Sequence, residues 1–72
     1  MLGEFYQDYH IVGFALCVNG TSRWTSKVTI YPVTISLSPT VLIDVEGLFA
    51  SETEAEQEAV RMGREWVDRQ PA

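Results

Sequence analysis

The chain has few of the residues that bind metals or cross-link small proteins. Cys17 is the only cysteine and His10 the only histidine among the 72 residues. One cysteine cannot form an internal disulfide, and neither residue has a second ligand at the spacing that zinc sites use. We therefore expect no metal, no cofactor and a reducing, cytoplasmic setting.

Basic residues are scarce as well, because five Lys and Arg stand against ten Asp and Glu and the net charge is −5. A charge of this sign repels phosphate backbones, so we expect no nucleic-acid binding, and it favours neutral or basic partners. No apolar run approaches the ~20 residues that a membrane helix needs, and Met1 to Glu4 lack the basic residues of a signal peptide. We expect no membrane association.

Groupings typical of catalysis are missing too. His10 has no nucleophile or second base at relay spacing, and Cys17 lies in an apolar run, where we expect an inert, protonated thiol in the core. The acidic residues Glu52, Glu54, Glu56 and Glu58 fall in the first turns of a predicted helix, where negative charge offsets the helix dipole. The sequence therefore predicts a protein that is not an enzyme.

A helix is the clearest element in the sequence. Ser51 and Glu54 have the spacing of a capping box, in which each side chain bonds the other residue's amide, and Pro71 marks the other end. The pattern predicts a helix from Glu52 to about Arg69. Its apolar stripe consists of Ala55, Ala59, Met62, Gly63 and Trp66, flanked by Val60 and Val67.

Strands are predicted upstream of this helix. The first predicted strand, residues 9–18, is apolar on both faces. The second, residues 23–31, alternates between apolar and polar side chains. The third, residues 40–45, has Val41, Ile43 and Val45 on its inward face. The tetrad 19–22 predicts a hairpin turn. The pattern of residues 33–37 predicts a bulge, a bend or an edge segment after Pro32. The fold class is thus α+β: a single domain, residues 1–72, with a three- or four-stranded antiparallel sheet and one C-terminal helix on one face (β-β-β-α).

Self-association follows from the first predicted strand. Its bulky face carries Val12, Phe14, Leu16 and Val18, whereas its other face carries smaller residues that are still apolar. One helix covers one face of a sheet, and a chain of this size is marginally stable alone. We therefore predict a homodimer, either packed on the small-residue face or exchanging the edge segment. The candidate interface residues are Ile11, Gly13, Ala15, Cys17, Val33, Ile35 and Leu37.

Residues 47–69, GLFASETEAEQEAVRMGREWVDR, resemble the C-terminal half of a group of short uncharacterised bacterial proteins. The shared pattern is Phe-Ala-Ser/Thr, an acidic capping box, spaced alanines and Gly-Arg-x-Trp-Ile/Val-Asp. The resemblance implies a β-β-β-α protein that stands alone and has no known activity.

A weaker similarity links Ser51-Glu52-Thr53-Glu54-Ala55 to HicB-type antitoxins, in which three strands precede a helix that opens with such a motif. This similarity implies an inhibitor. Two functions therefore stay open. The first is a non-catalytic protein that works through self-association or through a protein partner, and the second is an acidic, antitoxin-like inhibitor of a basic partner.

Overall fold

The computed structural model describes residues 1–33 and 40–71. Within these ranges the elements are β1 (Leu2–Tyr6), β2 (Tyr9–Cys17), β3 (Trp24–Pro32), β4 (Val41–Phe49) and α1 (Glu52–Asp68). The four strands form one antiparallel sheet in the order β1-β2-β3-β4, and α1 packs on one face of it. The predicted antiparallel sheet followed by one helix is confirmed, with four strands in a β-β-β-β-α order.

The fourth strand lies at the N-terminus, before the first strand that the sequence pattern indicated. β1 pairs with the first half of β2, from Leu2 opposite Gly13 to Tyr6 opposite Tyr9. Only two residues connect these strands, and Gln7 adopts a φ of 54°, as tight hairpins of antiparallel strands require. Phe5 and Tyr6 thus belong to an edge strand of the sheet.

The expected edge segment at residues 33–37 is described only at Val33. Its amide donates to the Asp8 carbonyl oxygen at 3.0 Å, which ties the end of β3 to the β1-β2 turn. Ile35 and Leu37 lie outside the described residues.

The other strands follow the sequence pattern closely. The even residues Ser26, Val28 and Ile30 of β3 are buried, as expected from its alternation. β4 starts at the predicted place but continues past Gly47 to Phe49. Gly47 has a φ of 106°, and the pairing of β3 with β4 shifts between Ser26 and Trp24, so the glycine allows the edge strand to bend while it keeps pairing.

Helix α1 begins as predicted. The Ser51 hydroxyl oxygen accepts a hydrogen bond from the Glu54 amide at 3.1 Å. The buried residues of α1 are Ala55, Ala59, Val60, Gly63 and Val67. Val60 and Val67 were expected beside the apolar stripe but lie at its centre, whereas Met62 and Trp66 are only partly buried.

Helix and sheet approach closely because each of them contributes a glycine to the contact. A Cβ on Gly13 would stand 2.7 Å from the Glu56 carbonyl oxygen and 3.0 Å from the Ala59 Cβ. A Cβ on Gly63 would stand 2.5 Å from a methyl group of Ile11. These two glycines therefore set the distance between α1 and the sheet.

This close contact determines which face of the sheet is covered. Ile11 and Gly13, which we expected at an interface between two copies, lie beneath α1, and Ile11 is fully buried. Ala15 is half-buried on the same face, and Cys17, expected in the core, is exposed at the end of β2. The small-residue face takes the helix because only small residues allow a helix backbone to come so near.

Among the described residues, no helix is long and apolar enough to span a membrane.

Candidate functional site: the uncovered sheet face

The face of the sheet opposite α1 has no element over it among residues 1–33 and 40–71. We call it the open face. Because side chains alternate along a strand, its members follow from the register of the four strands. They are Gly3 and Phe5 from β1, His10, Val12, Phe14 and Leu16 from β2, Thr25, Lys27, Thr29 and Tyr31 from β3, and Leu42, Asp44 and Glu46 from β4.

Three rings cross one end of the open face. The rings of Phe5 and His10 are stacked, with centroids 4.5 Å apart and planes within 16°. The Tyr31 ring lies on the other side of His10 at 6.2 Å, tilted by 37°. Gly3 leaves room for this row, because a Cβ there would come within 3.3 Å of the His10 Nε2 atom. The imidazole is thus held between two aromatic side chains.

Large apolar side chains on the open face remain in contact with solvent. Phe5 is 75% exposed, Leu42 64% and Leu16 59%. Val12 and Thr29, at the middle of the face, are buried. Single exposed apolar residues are ordinary, but a group of them around a dry centre marks an interaction surface.

The charges of the open face nearly cancel. Lys27 and Asp44 lie opposite each other in the register, with Nζ and Oδ1 3.8 Å apart, and Glu46 adds one further negative charge. Helix α1, in contrast, contains six acidic residues and two arginines, so it holds −4 of the net charge of −5. The molecule therefore has an acidic side and a nearly neutral, apolar side.

The outer surface of α1 is a network of ion pairs. Arg61 bonds Glu58 and also Glu65, with 2.8 Å between its Nη1 and the Glu65 oxygen. The hydrogen bond from Arg61 lowers the pKa of Glu58 and raises that of Arg61 itself. Arg69 lies 3.8 Å from Glu65. Arg61 and Arg69 therefore stabilise the helix at the level of single turns.

Two further bonds join the edge strand to α1. Arg64 lies 3.2 Å from a carboxylate oxygen of Glu4. The Tyr6 hydroxyl donates to Asp68 at 2.7 Å, and this hydrogen bond raises the pKa of the phenol. Because Glu4 and Tyr6 face the helix, Phe5 between them is turned to the open face.

Within the described part of the chain, no three His, Cys, Asp or Glu side chains stand where they could hold a metal ion together. A shallow open depression on the helix side is lined by Phe49, Glu54, Gln57, Glu58, Arg61 and Arg64. Its arginines are engaged in the ion pairs described above. The open face is accordingly the most distinctive surface of the described chain.

The sequence pattern does not predict that Phe5, His10 and Tyr31 are neighbours. It also predicts Leu16 on the face of the sheet that the helix covers. It does not bring them together in a shared site. The missing information is β1, since Phe5 reaches His10 only when residues 2–6 pair with β2. Both faces of β2 are apolar in the sequence, but that pattern alone does not say which face takes the helix.

No family model, no curated protein and no solved structure matches this chain, so the resemblances of residues 47–69 remain predictions.

Proposed function

We propose that this protein is a non-catalytic module that works by self-association, with the open face as the contact between two copies. The observation that supports the proposal is the group of exposed apolar side chains, Phe5, Leu16 and Leu42, around the buried Val12 and Thr29. Covering this face with a second copy removes apolar surface from water, which is the main favourable term in association.

The size of the open face fits a weak dimer. Strands β2, β3 and β4 have nine residues each and β1 has five. At about 3.3 Å per residue and about 4.8 Å between strands, the face measures roughly 500 Å² per copy, or about 1,000 Å² for the pair. This area is at the lower limit for specific interfaces.

The distribution of charge favours a second copy as the occupant. Two chains of net charge −5 repel each other least when their acidic helices point away from each other. Contact through the open faces gives this arrangement, because α1 lies on the far side of each sheet. The resulting assembly has four layers, helix, sheet, sheet and helix, with sheets packed about 10 Å apart.

Sedimentation of the wild type and of two matched variants from low to high micromolar concentration tests the proposal. Leu42→Lys places a charge on the open face, in the edge strand β4. Leu2→Lys makes the same substitution in the other edge strand, β1, on the face that carries the helix. We expect a concentration-dependent dimer for the wild type and for Leu2→Lys, and a monomer for Leu42→Lys with an unchanged circular dichroism spectrum. A wild type that stays monomeric throughout contradicts the proposal.

A second candidate is the acidic inhibitor of a basic partner, supported by the charge of −4 on α1. Its contact surface would be the helix and not the sheet. Poly-lysine is a suitable probe of such binding. This candidate would be favoured if Leu42→Lys still binds poly-lysine as the wild type does, and if the double variant Glu52→Gln, Glu54→Gln binds it more weakly.

A further inference from the structure

His10 is a titratable side chain inside the apolar part of the open face. It is half-buried between Phe5 and Tyr31, and none of the described residues forms a hydrogen bond or an ion pair with its ring nitrogens. Imidazole is the side chain that gains its charge between about pH 5 and pH 8. A contact that covers this ring therefore responds to acid.

None of the described groups in contact with the ring carries a negative charge. From β1 it meets Phe5 and Gly3, while Glu4 faces the helix and bonds Arg64. From β3 it meets the phenol ring of Tyr31.

The other charged residues of this side of the sheet lie further from His10. Lys27 and Asp44 are further along the open face and pair with each other, and Glu46 lies beyond Asp44. Asp8 lies in the adjoining turn and is exposed to solvent. Among the described residues of its own copy, a protonated His10 would lack a partner of opposite charge.

We propose that protonation of His10 separates the two copies, so that the open-face dimer forms at neutral pH and dissociates in mild acid. This inference rests on the proposed self-association. Burial disfavours the charged form of a group, and two protonated rings would also repel each other across a shared interface. The dimer is then favoured at neutral pH and weakens in the mildly acidic range in which imidazole side chains gain their charge.

Acid has an opposite effect through the net charge. As the pH falls, each chain becomes less negative than −5, and the general repulsion between two copies decreases. A protein without the His10 effect should therefore associate equally well or better in acid. The two causes have opposite signs, so the direction of the change identifies the cause.

The test is the dimer Kd of the wild type and of His10→Phe at about pH 7.5 and at about pH 5.5. Phe keeps a ring between Phe5 and Tyr31 but has no proton to gain. We expect the wild-type Kd to rise about tenfold in acid, which is below the ceiling of about a hundredfold per pH unit that two histidines set at about tenfold each. The Kd of His10→Phe should stay constant or fall.

A second measurement uses His10 itself and does not depend on the folding of that variant. The His10 ring protons are followed by NMR during an acid titration of the concentrated wild type and of the monomeric Leu42→Lys. We expect the midpoint to lie lower in the wild type, since the dimer resists protonation. Equal midpoints, or a wild-type Kd that is constant or falls in acid, would overturn the inference while leaving the dimer in place. A wild type that is monomeric at both pH values overturns the proposed self-association and this inference with it.

Discussion

At the scale of single residues, the start of α1 depends on one hydroxyl group. The Ser51 oxygen satisfies the Glu54 amide, which has no carbonyl partner inside the helix. Among the described bonds, the carboxylate of Glu54 does not return to the Ser51 amide, so only half of the capping box forms. The cap thus contributes through Ser51 alone.

We predict that Ser51→Ala lowers the free energy of unfolding by about 1 kcal/mol. The midpoint of urea unfolding measures the loss. Glu54→Gln is the control, because it keeps the amide that donates to Ser51 and loses only the interaction of one carboxylate with the helix dipole, so the midpoint should fall less. Equal losses from both variants would show that the carboxylate matters as much as the hydroxyl.

The glycine of β2 gives a second prediction at this scale. Gly13→Ala should lower the free energy of unfolding by between about 1 and 3 kcal/mol, because its Cβ meets the backbone of α1. Gly3→Ala is the matched control in the neighbouring strand, where the new Cβ meets the His10 ring at 3.3 Å and no helix backbone. We expect the control to stay within about 0.5 kcal/mol of the wild type. Similar losses in thermal or urea unfolding would contradict the close packing at Gly13.

The sequence does contain the information that decides which face α1 covers. Small residues lie on one face of β2 at Gly13 and Ala15, and small residues also form the stripe of α1 at Ala55, Ala59 and Gly63. Matching the two sets gives the observed packing. The interface hypothesis assigned the small face of β2 to a second copy, although the α1 backbone lies so near Gly13 that any side chain there would collide with it.

At the scale of elements, the sequence pattern predicted three strands and the helix but not β1. A strand of five residues with one glycine and one acidic residue has little apolar alternation. Its turn, Gln7-Asp8, also lacks the glycine that usually marks a two-residue hairpin. The strand forms because β2 offers it a partner: the outer edge of β2 from Tyr9 to Gly13 would otherwise be unpaired.

The attachment of β1 to α1 predicts a dependence on alkaline pH. The bond from Tyr6 to Asp68 raises the pKa of the phenol above its ordinary value, about 10, so this stabilisation is complete below that value and is lost as the pH rises through the folded-state pKa. We expect the urea midpoint of the wild type to fall above about pH 10. In Tyr6→Phe the midpoint should start lower and fall less. Parallel decreases in both proteins would show that Tyr6 is not the group responsible.

The bond between β3 and α1 gives a prediction for the docking of the helix. The Ser26 hydroxyl is buried and donates to the Ala55 carbonyl oxygen at 2.7 Å. Ser26→Ala should lower the free energy of unfolding by about 1 kcal/mol, the usual net value of such a bond. Thr25→Ala, which removes a hydroxyl that bonds only within the sheet, is the control, and its smaller effect on the urea midpoint would locate the loss at the helix.

At the scale of the whole molecule, the two layers differ in character. The helix layer holds −4 of the net charge, and the sheet layer presents an apolar surface with nearly balanced charges. Self-association through the sheet brings two negative molecules together without pairing their charges. Binding of a basic partner through the helix would pair them.

Salt therefore separates these two functions. Raising the ionic strength from about 0.01 M to about 0.15 M shortens the screening length from about 30 Å to about 8 Å, which reduces the repulsion between two copies of charge −5. We predict that the dimer Kd falls severalfold over this range, whereas the affinity of α1 for poly-lysine weakens. In Glu52→Gln with Glu54→Gln, both responses should be smaller, because each helix then carries −2. A wild-type dimer that weakens as salt is added would instead mean that opposite charges attract each other across the contact. The next variant to make would then exchange the charges of Lys27 and of Asp44 of the second copy.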